Sequence, residues 1–354
     1  MTRQVLITGG AGFVGSSLGL GLAQLYPDWK IIALDNLKRR GSELNIPRLK
    51  QAGIEFVHGD VRNAEDLEAS ALPVDLILEC SAEPSVLAGY TSPGYVLQTN
   101  LIGTINCLEL ARQTQADFIF LSTSRVYPIA YLNQLNYTET ETRFQLSEQQ
   151  NLPGVSAFGI SEQFPLDLPR SLYGSTKLAS ELIINEYGDA YGLRTLINRC
   201  GVLTGPWQMG KVDQGVFALW VANHYFQKSL KYIGYGGTGK QVRDFLHVAD
   251  LLDLIDIQIA NLEQFKGQTF NVGGGQDFSL SLYETTKLCE EVTGNSIMIE
   301  AVPENRTGDM PIFITDSRKI SSITAWQPQR DGRKLIQDIF DWIHTHEKEL
   351  KGIF

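Results

Sequence analysis

The chain has 354 residues, of which 43% are hydrophobic, and a formal net charge of -10. This length suits one large or two moderate domains, and the hydrophobic content excludes a disordered chain. The acidic balance argues against nonspecific binding to nucleic acid, because such binding depends on cationic side chains that release counterions from phosphate. Any polyanionic partner therefore needs a local basic site.

The four cysteines, Cys80, Cys107, Cys200 and Cys289, lack CxxC spacing and neighbouring histidines. This spacing predicts neither a disulfide framework nor a metal site, and it favours a reducing compartment. The uncharged stretch 4–27 is long enough to suggest a membrane helix, but six glycines interrupt it and it lacks the organisation of a signal peptide. We expect a soluble cytoplasmic protein without a membrane partner.

Short apolar runs alternate with helix-like segments through the first 200 residues, a pattern typical of βαβ units and a parallel sheet covered on both faces. Strands are predicted at 5–8, 31–35, 54–60, 74–79, 117–122 and 194–199, and helices at 14–26, 62–70, 95–114 and 173–191. The predicted fold class is therefore α/β, with a Rossmann-type doubly wound parallel sheet.

After about residue 201, polar glycine-rich loops separate shorter elements. We expect a Rossmann domain at 1–201 and a smaller C-terminal α/β substrate-binding domain at 202–354. The segment 243–272 contains an apolar helix pattern and a short strand pattern, so it is a candidate for a return to the main sheet.

The stretch GGAGFVG (9–15) follows the first predicted strand and opens the first helix, with the spacing Gly9-x-x-Gly12-x-x-Gly15. Glycine here lets backbone N–H groups and a helix N-terminus approach a pyrophosphate. Asp35 ends the second predicted strand, where a carboxylate bonds ribose hydroxyls and repels a 2'-phosphate. The pattern favours NAD, although two arginines soon after Asp35 weaken the preference over NADP. The alternative is a glycine turn that serves packing alone.

In RSLYGSTKLASEL (170–182), Tyr173 and Lys177 lie four residues apart. Taken alone, the stretch fits an amphipathic helix in which Lys177 and Glu181 form an i,i+4 pair. Placed after the glycine loop and the strand LSTSRVY (121–127), the same spacing predicts a catalytic pair.

The ordered set of glycine loop, Asp35, Thr123 and Tyr173-x-x-x-Lys177 resembles the extended short-chain dehydrogenase/reductase family, the NAD-dependent nucleotide-sugar epimerases and dehydratases. The resemblance covers nearly the whole chain, including QVRDFLHVADL (241–251), FNVGGG (270–275) and ENRTGDMPIFITDSRKI (304–320).

The resemblance implies that Tyr173 takes a proton from a sugar hydroxyl, with Lys177 lowering the pKa of Tyr173 and Thr123 bonding the sugar oxygen. Hydride would pass to NAD and return to the opposite face of a keto sugar that has turned in its pocket. The implied cofactor contacts are Gly9, Gly12, Phe13, Val14, Gly15, Asp35, Asn36, Asp60, Val61, Ser81, Ala82, Asn100, Tyr173, Lys177 and Cys200.

The implied substrate contacts are Glu83, Ser124, Glu162, Gln208, Lys211, Gln214, Arg243 and Arg306, with Asp213 in the same loop as Gln208. Arg243 and Arg306 would bind the diphosphate, because a guanidinium can bond phosphate oxygens in a bidentate fork. The alternative for the arginines is an ion pair, Arg243 with Asp244 and Arg306 with Asp309. The alternative for the loop 208–214 is a solvated surface. The long insert at about 144–169 predicts a loop whose Ser161 and Glu162 approach the sugar, or a surface excursion.

The dehydratases of the family carry an acidic pair after the position of Thr123, where this chain has Ser124 and Arg125. Three loops, NYTETETR (136–143), QMGKVDQG (208–215) and GTGKQVRDFLH (237–247), are similar to those of family members that epimerise C2 of a CDP-linked deoxyhexose. C2 epimerisation is therefore the predicted activity. The alternatives are epimerisation at C4 or of a GDP- or UDP-hexose, a 4,6-dehydratase, a dehydrogenase or reductase, and a non-catalytic nucleotide sensor.

Three single residues depart from the family pattern, and one of them is Pro128, which follows VY where relatives have glycine. Glu79 and Val202 stand where relatives often have histidine and a phosphate-binding asparagine. The phosphate site is therefore open to rearrangement. The resemblance also implies a homodimer or homotetramer that forms through the helices near 95–114 and 173–191.

Overall fold

The computed structural model describes residues 2–71, 73–211, 214–306 and 308–354. The chain divides into two compact units, each made of three chain segments. The first unit comprises Met1–Val126, Ser171–Arg199 and Leu251–Phe270. The second unit comprises Tyr127–Arg170, Cys200–Asp250 and Asn271–Phe354.

The strands in chain order are β1 (Gln4–Thr8), β2 (Lys30–Asp35), β3 (Glu55–His58), β4 (Leu76–Glu79), β5 (Asp117–Thr123), β6 (Tyr137–Glu139), β7 (Phe144–Leu146), β8 (Val155–Ser156), β9 (Gly159–Ile160), β10 (Thr195–Cys200), β11 (Val202–Thr204), β12 (Leu230–Ile233), β13 (Val242–His247), β14 (Gln268–Val272), β15 (Ser279–Ser281), β16 (Ile299–Val302) and β17 (Ile312–Phe313).

The helices are α1 (Phe13–Leu25), α2 (Ile46–Gln51), α3 (Ala64–Ala71), α4 (Ala88–Thr91), α5 (Pro93–Leu97), α6 (Gly103–Thr114), α7 (Ile129–Leu132), α8 (Leu172–Tyr191), α9 (Val216–Tyr225), α10 (Val248–Ala260), α11 (Leu262–Phe265), α12 (Leu282–Thr293), α13 (Arg318–Thr324), α14 (Gly332–Thr345) and α15 (Glu347–Leu350). A π-helical turn, Gln98–Ile102, joins α5 to α6.

A seven-stranded sheet in the order β14-β10-β5-β4-β1-β2-β3 forms the centre of the first unit. β1 pairs in parallel with both β2 and β4, so the strand order reverses on either side of β1. The strand interiors are buried, as at Leu6, Ile32 and Ile77, each 0% exposed, because helices cover both faces. The predicted α/β class with a doubly wound parallel sheet is confirmed. In such sheets ligands bind beyond the carboxyl ends of the strands where the order reverses.

α8 and α1 begin and end for local reasons. The side chain of Ser171 caps α8 by accepting a hydrogen bond from Gly174 N at 3.1 Å, and Gly192 ends the helix in the left-handed region with φ 72°. Gly12 caps α1 without a side-chain hydrogen bond, and no acidic residue lies in the first turn. Its N-terminal N–H groups are therefore the part of α1 suited to an anion.

The second unit contains a small sheet in which β13 pairs in parallel with β11 and β17 and antiparallel with β15. β12 pairs with β16, β6 with β7, and β8 with β9. α9, α12 and α14 pack together, and Ser281 and Glu284 form a reciprocal capping box at the start of α12. Across the described ranges, no helix has both the length and the apolar character needed to cross a membrane. No disulfide joins the four cysteines, all of which lie in the described ranges.

Candidate active site

The glycine loop after β1 leaves no room for side chains. Gly9 adopts φ 63°, a conformation that L side chains rarely take. A Cβ on Gly10 would lie 2.6 Å from Ala33 Cα, and one on Gly15 would overlap the carbonyl oxygen of Gly9. The close-packed loop and the uncapped start of α1 fit a dinucleotide pyrophosphate. Phe13 and Val14, also predicted as cofactor contacts, form the half-buried first turn of α1.

Asp35 ends β2 beside this loop, with 9% of its surface exposed. Its Oδ2 accepts a hydrogen bond from Ala11 N at 3.1 Å, and its Oδ1 accepts one from Leu37 N at 2.8 Å. Burial raises the pKa of the carboxyl, and the backbone hydrogen bonds oppose that rise. Asp35 therefore fixes the glycine loop and lies at the end of β2, where a carboxylate can hold a ribose.

Asn36 and Asp60 are joined by a hydrogen bond from Asn36 Nδ2 to Asp60 Oδ2 at 2.9 Å. Asp60 also forms an ion pair with Arg62 at 2.6 Å. Burial raises the pKa of Asp60, but hydrogen bonds from Arg62 and Asn36 outweigh burial and lower it to about 2. The neighbouring Val61 is buried, with 5% of its surface exposed. The structure thus brings three predicted cofactor contacts together beyond β2 and β3.

Asn100 is fully buried in the π-helical turn. Its Oδ1 accepts from Glu83 N at 2.7 Å, and its Nδ2 donates to Thr176 Oγ1 at 3.2 Å. Thr8 Oγ1 donates to Ser81 Oγ at 3.1 Å. Asn100 therefore orders the loop that carries three of the predicted contacts, Ser81, Ala82 and Glu83.

Tyr173 and Lys177 lie one turn apart in α8, with exposed fractions of 8% and 2%. α8 packs against β5 and the turn Ser124–Val126 that follows it. Thr123, 8% exposed, ends β5, and its Oγ1 accepts from Arg125 N at 3.2 Å. The helix and the strand thus bring these three predicted catalytic residues into the same part of the first unit.

Lys177 has a polar and an aromatic neighbour in the sheet. Its Nζ lies 3.9 Å from the ring centroid of Phe120, which is within the range of a cation–π contact. Glu79, fully buried at the end of β4, attracts Lys177 electrostatically, and this attraction lowers the pKa of Glu79. Burial is the larger effect and raises the pKa of Glu79 to about 7.

Glu181 pairs with residues outside its own helix. Its carboxylate accepts hydrogen bonds from Arg199 Nη2 at 2.7 Å and from Ser122 Oγ at 2.5 Å. Arg199 and Glu181 are both buried, with side-chain exposures of 8% and 3%. The sequence predicts a Lys177–Glu181 pair within the helix; in the structure the ion pair of Glu181 joins α8 to β10, and its hydrogen bond with Ser122 joins α8 to β5.

The predicted nucleotide contacts lie in the second unit. Gln208 is turned onto β11, with Nε2 donating to Leu203 O at 2.9 Å and Oε1 accepting from Thr204 Oγ1 at 3.0 Å. The backbones of Lys211 and Gln214 are bonded to each other at 2.6 and 3.1 Å. Asp213 lies outside the described residues.

Arg243 forms an ion pair with Asp309 at 2.8 Å and also donates to Val242 O and Met310 O, both at 2.7 Å. The sequence suggested Asp244 as the ion-pair partner of Arg243. Consecutive residues of a strand point to opposite faces, so Asp244 is buried on the other face of β13. Asp309 N donates to Arg306 O at 3.2 Å, and Arg306 itself is exposed.

The remaining predicted contacts have structural partners. Glu162 Oε1 accepts from Asn271 N at 2.7 Å, and Ser161 N donates to Gly154 O at 2.8 Å, so both help fold the insert. Cys200 is buried at the end of β10, with 4% exposed. Ser124 is half-buried in the turn after β5.

Two features of the site lie outside the motif-based prediction. The sequence shows Glu79 only as a departure from the family pattern, and Arg199 only as the end of a predicted strand. A charged residue inside an otherwise apolar strand is the one signal that points to either residue before the structure is known.

Comparisons with known proteins show the family of this chain. Residues 5–273 match the NAD dependent epimerase/dehydratase family. The chain is 33% identical to CDP-paratose 2-epimerase of Salmonella typhi over 353 residues, covering 96% of this chain and 98% of that protein.

Two solved structures have the same fold. dTDP-glucose 4,6-dehydratase from Bacillus anthracis in complex with NAD matches with a TM-score of 0.78 and 26% identity over 100% of both chains. UDP-glucose 4-epimerase from Thermus thermophilus in complex with NAD matches with a TM-score of 0.76 and 26% identity over 96% of this chain and 99% of that chain. The chain belongs to the NAD-dependent epimerase/dehydratase family, and it is an NAD-dependent enzyme of the nucleotide-sugar epimerase kind.

Proposed function

We propose that this enzyme epimerises C2 of a CDP-linked deoxyhexose and converts CDP-paratose into CDP-tyvelose. The observation that carries the proposal is the 33% identity to CDP-paratose 2-epimerase over nearly the full length of both chains. Ser124 and Arg125 at the positions of the dehydratase acids support epimerisation over dehydration.

In this proposal Tyr173 is the base that removes the proton of the sugar hydroxyl. Lys177 is almost completely buried, so its positive charge is weakly screened and acts strongly on a neighbouring phenolate. Thr123 donates a hydrogen bond to the same sugar oxygen. The chemistry that NAD would supply when bound is the uptake of hydride from the sugar carbon and its return, so the reaction would have no net redox change.

The protein residues also explain how the cofactor is retained. The glycine loop and the start of α1 hold the pyrophosphate, and Asp35 holds the adenosine ribose. Asn36, Asp60 and Val61 line the adenine end, while Ser81, Ala82, Asn100 and Cys200 complete the proposed set of cofactor contacts.

We propose that Arg243 and Arg306 bind the diphosphate of the substrate. Among the described residues Arg243 makes three hydrogen bonds, fewer than its five N–H groups allow, and the carboxylate of Asp309 holds the side chain in one orientation. Gln208, Lys211 and Gln214 are proposed to contact the nucleotide base, and Glu83, Ser124 and Glu162 to contact the sugar.

The test is to incubate the purified enzyme with CDP-, GDP- and UDP-hexoses in deuterated water and to follow the products by NMR. We expect inversion at C2 of the CDP-linked sugar, with protium retained at the inverted carbon because the same hydride returns. Inversion at C4 of a UDP-hexose would reassign the substrate. Deuterium at the inverted carbon would contradict the hydride mechanism.

A matched pair of variants on α8 tests the base. Tyr173→Phe removes the phenolic oxygen that, as the phenolate, accepts the proton, and we expect turnover to fall by at least about 100-fold. Tyr191→Phe removes a hydroxyl from the same helix at a residue that is 50% exposed, and we expect normal turnover. Equal activities for the two variants would exclude Tyr173 as the base.

We further propose a homodimer or homotetramer built on α6 and α8. Leu182, with 61% of its surface exposed, is a large apolar side chain on α8 that a second copy of the chain would cover. Light scattering coupled to size-exclusion chromatography tests this assembly. We expect Leu182→Glu to dissociate it, and a monomeric wild-type protein would contradict it.

A further inference from the structure

Glu79 is a carboxyl buried inside the sheet of the cofactor-binding unit. It ends β4 with 0% of its surface exposed. Its Oε1 accepts a hydrogen bond from Thr104 Oγ1 at 2.7 Å, and its Oε2 is buried without a hydrogen-bond partner among the described residues. A buried carboxylate with one unsatisfied oxygen is costly, so its stability depends on the charges around it.

The charged group that faces Glu79 is Lys177. In the parallel register of β4 and β5, Glu79 pairs with Phe120, so their side chains lie on the same face of the sheet. The Lys177 ammonium lies over that ring, 3.9 Å from its centroid. Lys177, the proposed partner of the Tyr173 base, therefore lies on the same face of the sheet as the carboxyl group of Glu79.

In the part of the chain that the structure describes, the other elements packed around Glu79 bring no further cation. From α6, Thr104 contributes the hydroxyl, and Cys107 contributes a thiol that is 0% exposed and whose pKa is raised by burial. From β1, the register partner is Thr8, whose hydroxyl bonds Ser81. Among the described residues, Lys177 is the cation whose attraction acts on Glu79.

We propose that Glu79 is a positioning residue for the catalytic base: its buried carboxylate shares the Lys177 ammonium and sets how strongly that ammonium stabilises the Tyr173 phenolate. When Glu79 is neutral, the lysine charge acts on the tyrosine undiminished. When Glu79 is ionised, part of that charge is compensated, and Tyr173 loses its proton only at higher pH. The inference rests on the proposed roles of Tyr173 and Lys177.

Because Glu79 titrates near neutral pH, its charge can change the ionisation of Tyr173 at the pH at which the enzyme works. Because burial raises its pKa to about 7, Glu79 changes charge within the range in which such an enzyme works. A merely structural carboxyl at the same place would affect folding without moving the titration of Tyr173.

The test is Glu79→Gln, which keeps the shape and the acceptor for Thr104 but removes the charge. The phenolate of Tyr173 is followed in the NAD-containing enzyme by ultraviolet absorbance, as the difference between each protein and its Tyr173→Phe counterpart. We expect the titration to move to lower pH by at least about 0.5 unit, and the acid limb of the turnover profile to move with it. Glu186→Gln, an exposed carboxyl on α8, is the matched control and should move neither.

Thr104→Val is a second variant that keeps the carboxyl. It removes the donor that stabilises the Glu79 anion, so more Glu79 stays neutral and the shift should have the same direction and a smaller size. Unchanged titrations in both variants would overturn the proposal. The absorbance titration needs no sugar substrate, so a shift in an enzyme that converts no nucleotide sugar would uphold the coupling while contradicting the proposed function.

Discussion

At the scale of single residues, Asp35 fixes the glycine loop and is the carboxylate proposed to hold the ribose of the cofactor. It accepts hydrogen bonds from Ala11 N and Leu37 N, and these bonds define the entrance of the glycine loop. A neutral amide offers only one acceptor oxygen in place of the two that Asp35 uses. Replacing the carboxylate therefore disturbs the loop and the ribose site together.

We expect Asp35→Asn to weaken NAD binding at least about tenfold, because hydrogen bonds to a charged group contribute roughly 1.5–3 kcal/mol. The measurement is the amount of NAD released on denaturing the purified protein, together with a titration of the stripped protein with NAD. Asp28→Asn, at an exposed position, is the control. Full NAD content in Asp35→Asn would show that another group holds the ribose.

The glycine loop, Asp35 and the Tyr173–Lys177 spacing could be proposed from the sequence because each follows from local chain order, and their functional roles stay predictions. Glu79, Glu181 and Arg199 could not be assigned in this way. Their partners come from other elements: Glu181 bonds Ser122, 59 positions away, and Arg199, 18 positions away. Local spacing offered Lys177 as the partner of Glu181, but burial of Arg199 favours the stronger bidentate pair.

At the scale of elements, the pair Glu181–Arg199 holds α8 against the sheet. α8 carries Tyr173 and Lys177, and β5 carries Thr123 directly after Ser122, which also bonds Glu181. Breaking a buried pair from one side leaves an uncompensated charge. This geometry makes Glu181 a positioning residue for α8 and β5, which carry the proposed catalytic residues.

We expect Glu181→Gln to lower the free energy of unfolding by about 3–5 kcal/mol and to lower kcat more than it raises KM. Urea denaturation and steady-state kinetics are the measurements. The double variant Glu181→Gln/Arg199→Met removes both charges, and we expect it to regain part of the lost stability. A double variant that loses the sum of both single effects would show that the two residues act independently.

Gly15 tests the close packing between the glycine loop and α1. A Cβ there overlaps the carbonyl oxygen of Gly9, whereas a Cβ on Gly94, in α5, meets no atom within 4 Å. We expect Gly15→Ala to lower the melting temperature and to abolish NAD retention. Gly94→Ala should leave NAD retention unchanged and stabilise the protein by about 0.5–1 kcal/mol. Normal NAD content in Gly15→Ala would contradict the proposed pyrophosphate site.

The main elements could be predicted because short apolar runs alternate regularly with helix-like segments. The strand expected at 117–122 is Asp117–Thr123, and the helix expected at 173–191 is Leu172–Tyr191. The helix expected at 95–114 is a composite of α5, a π-helical turn and α6. Strands such as Val155–Ser156 and Gly159–Ile160 have two residues each, too few for an alternating pattern to be recognised, so the insert shows no strands at the level of sequence.

At the scale of the whole molecule, each unit contains a fully buried carboxyl with a raised pKa. Burial raises the pKa of Glu79 in the first unit to about 7 and that of Asp244 in the second unit to about 6. Both values lie above those of the same groups in an unfolded chain. The folded protein therefore keeps these protons to higher pH than the unfolded chain does. This effect on stability is opposite to that of most carboxylates, whose pKa is lowered by folding.

For Glu79 the sign follows from the order of the two pKa values, 4.5 in the unfolded chain and about 7 in the fold. Below pH 4.5 both states hold the proton, and the group has no effect. As the pH rises to 7, only the unfolded chain releases it, so the free energy of unfolding falls by about 3 kcal/mol.

Urea denaturation of wild type and Glu79→Gln at pH 5 and pH 8 measures this loss of stability. Glu79→Gln should not show the loss, because the amide cannot ionise. We expect similar stabilities for the two proteins at pH 5. At pH 8 we expect Glu79→Gln to be more stable than wild type by about 3 kcal/mol, and we expect Asp244→Asn to show the same trend at lower pH. Glu186→Gln should track wild type at both values, since its side chain is exposed. A Glu79→Gln variant less stable than wild type at pH 8 would mean that the attraction of Lys177 outweighs burial.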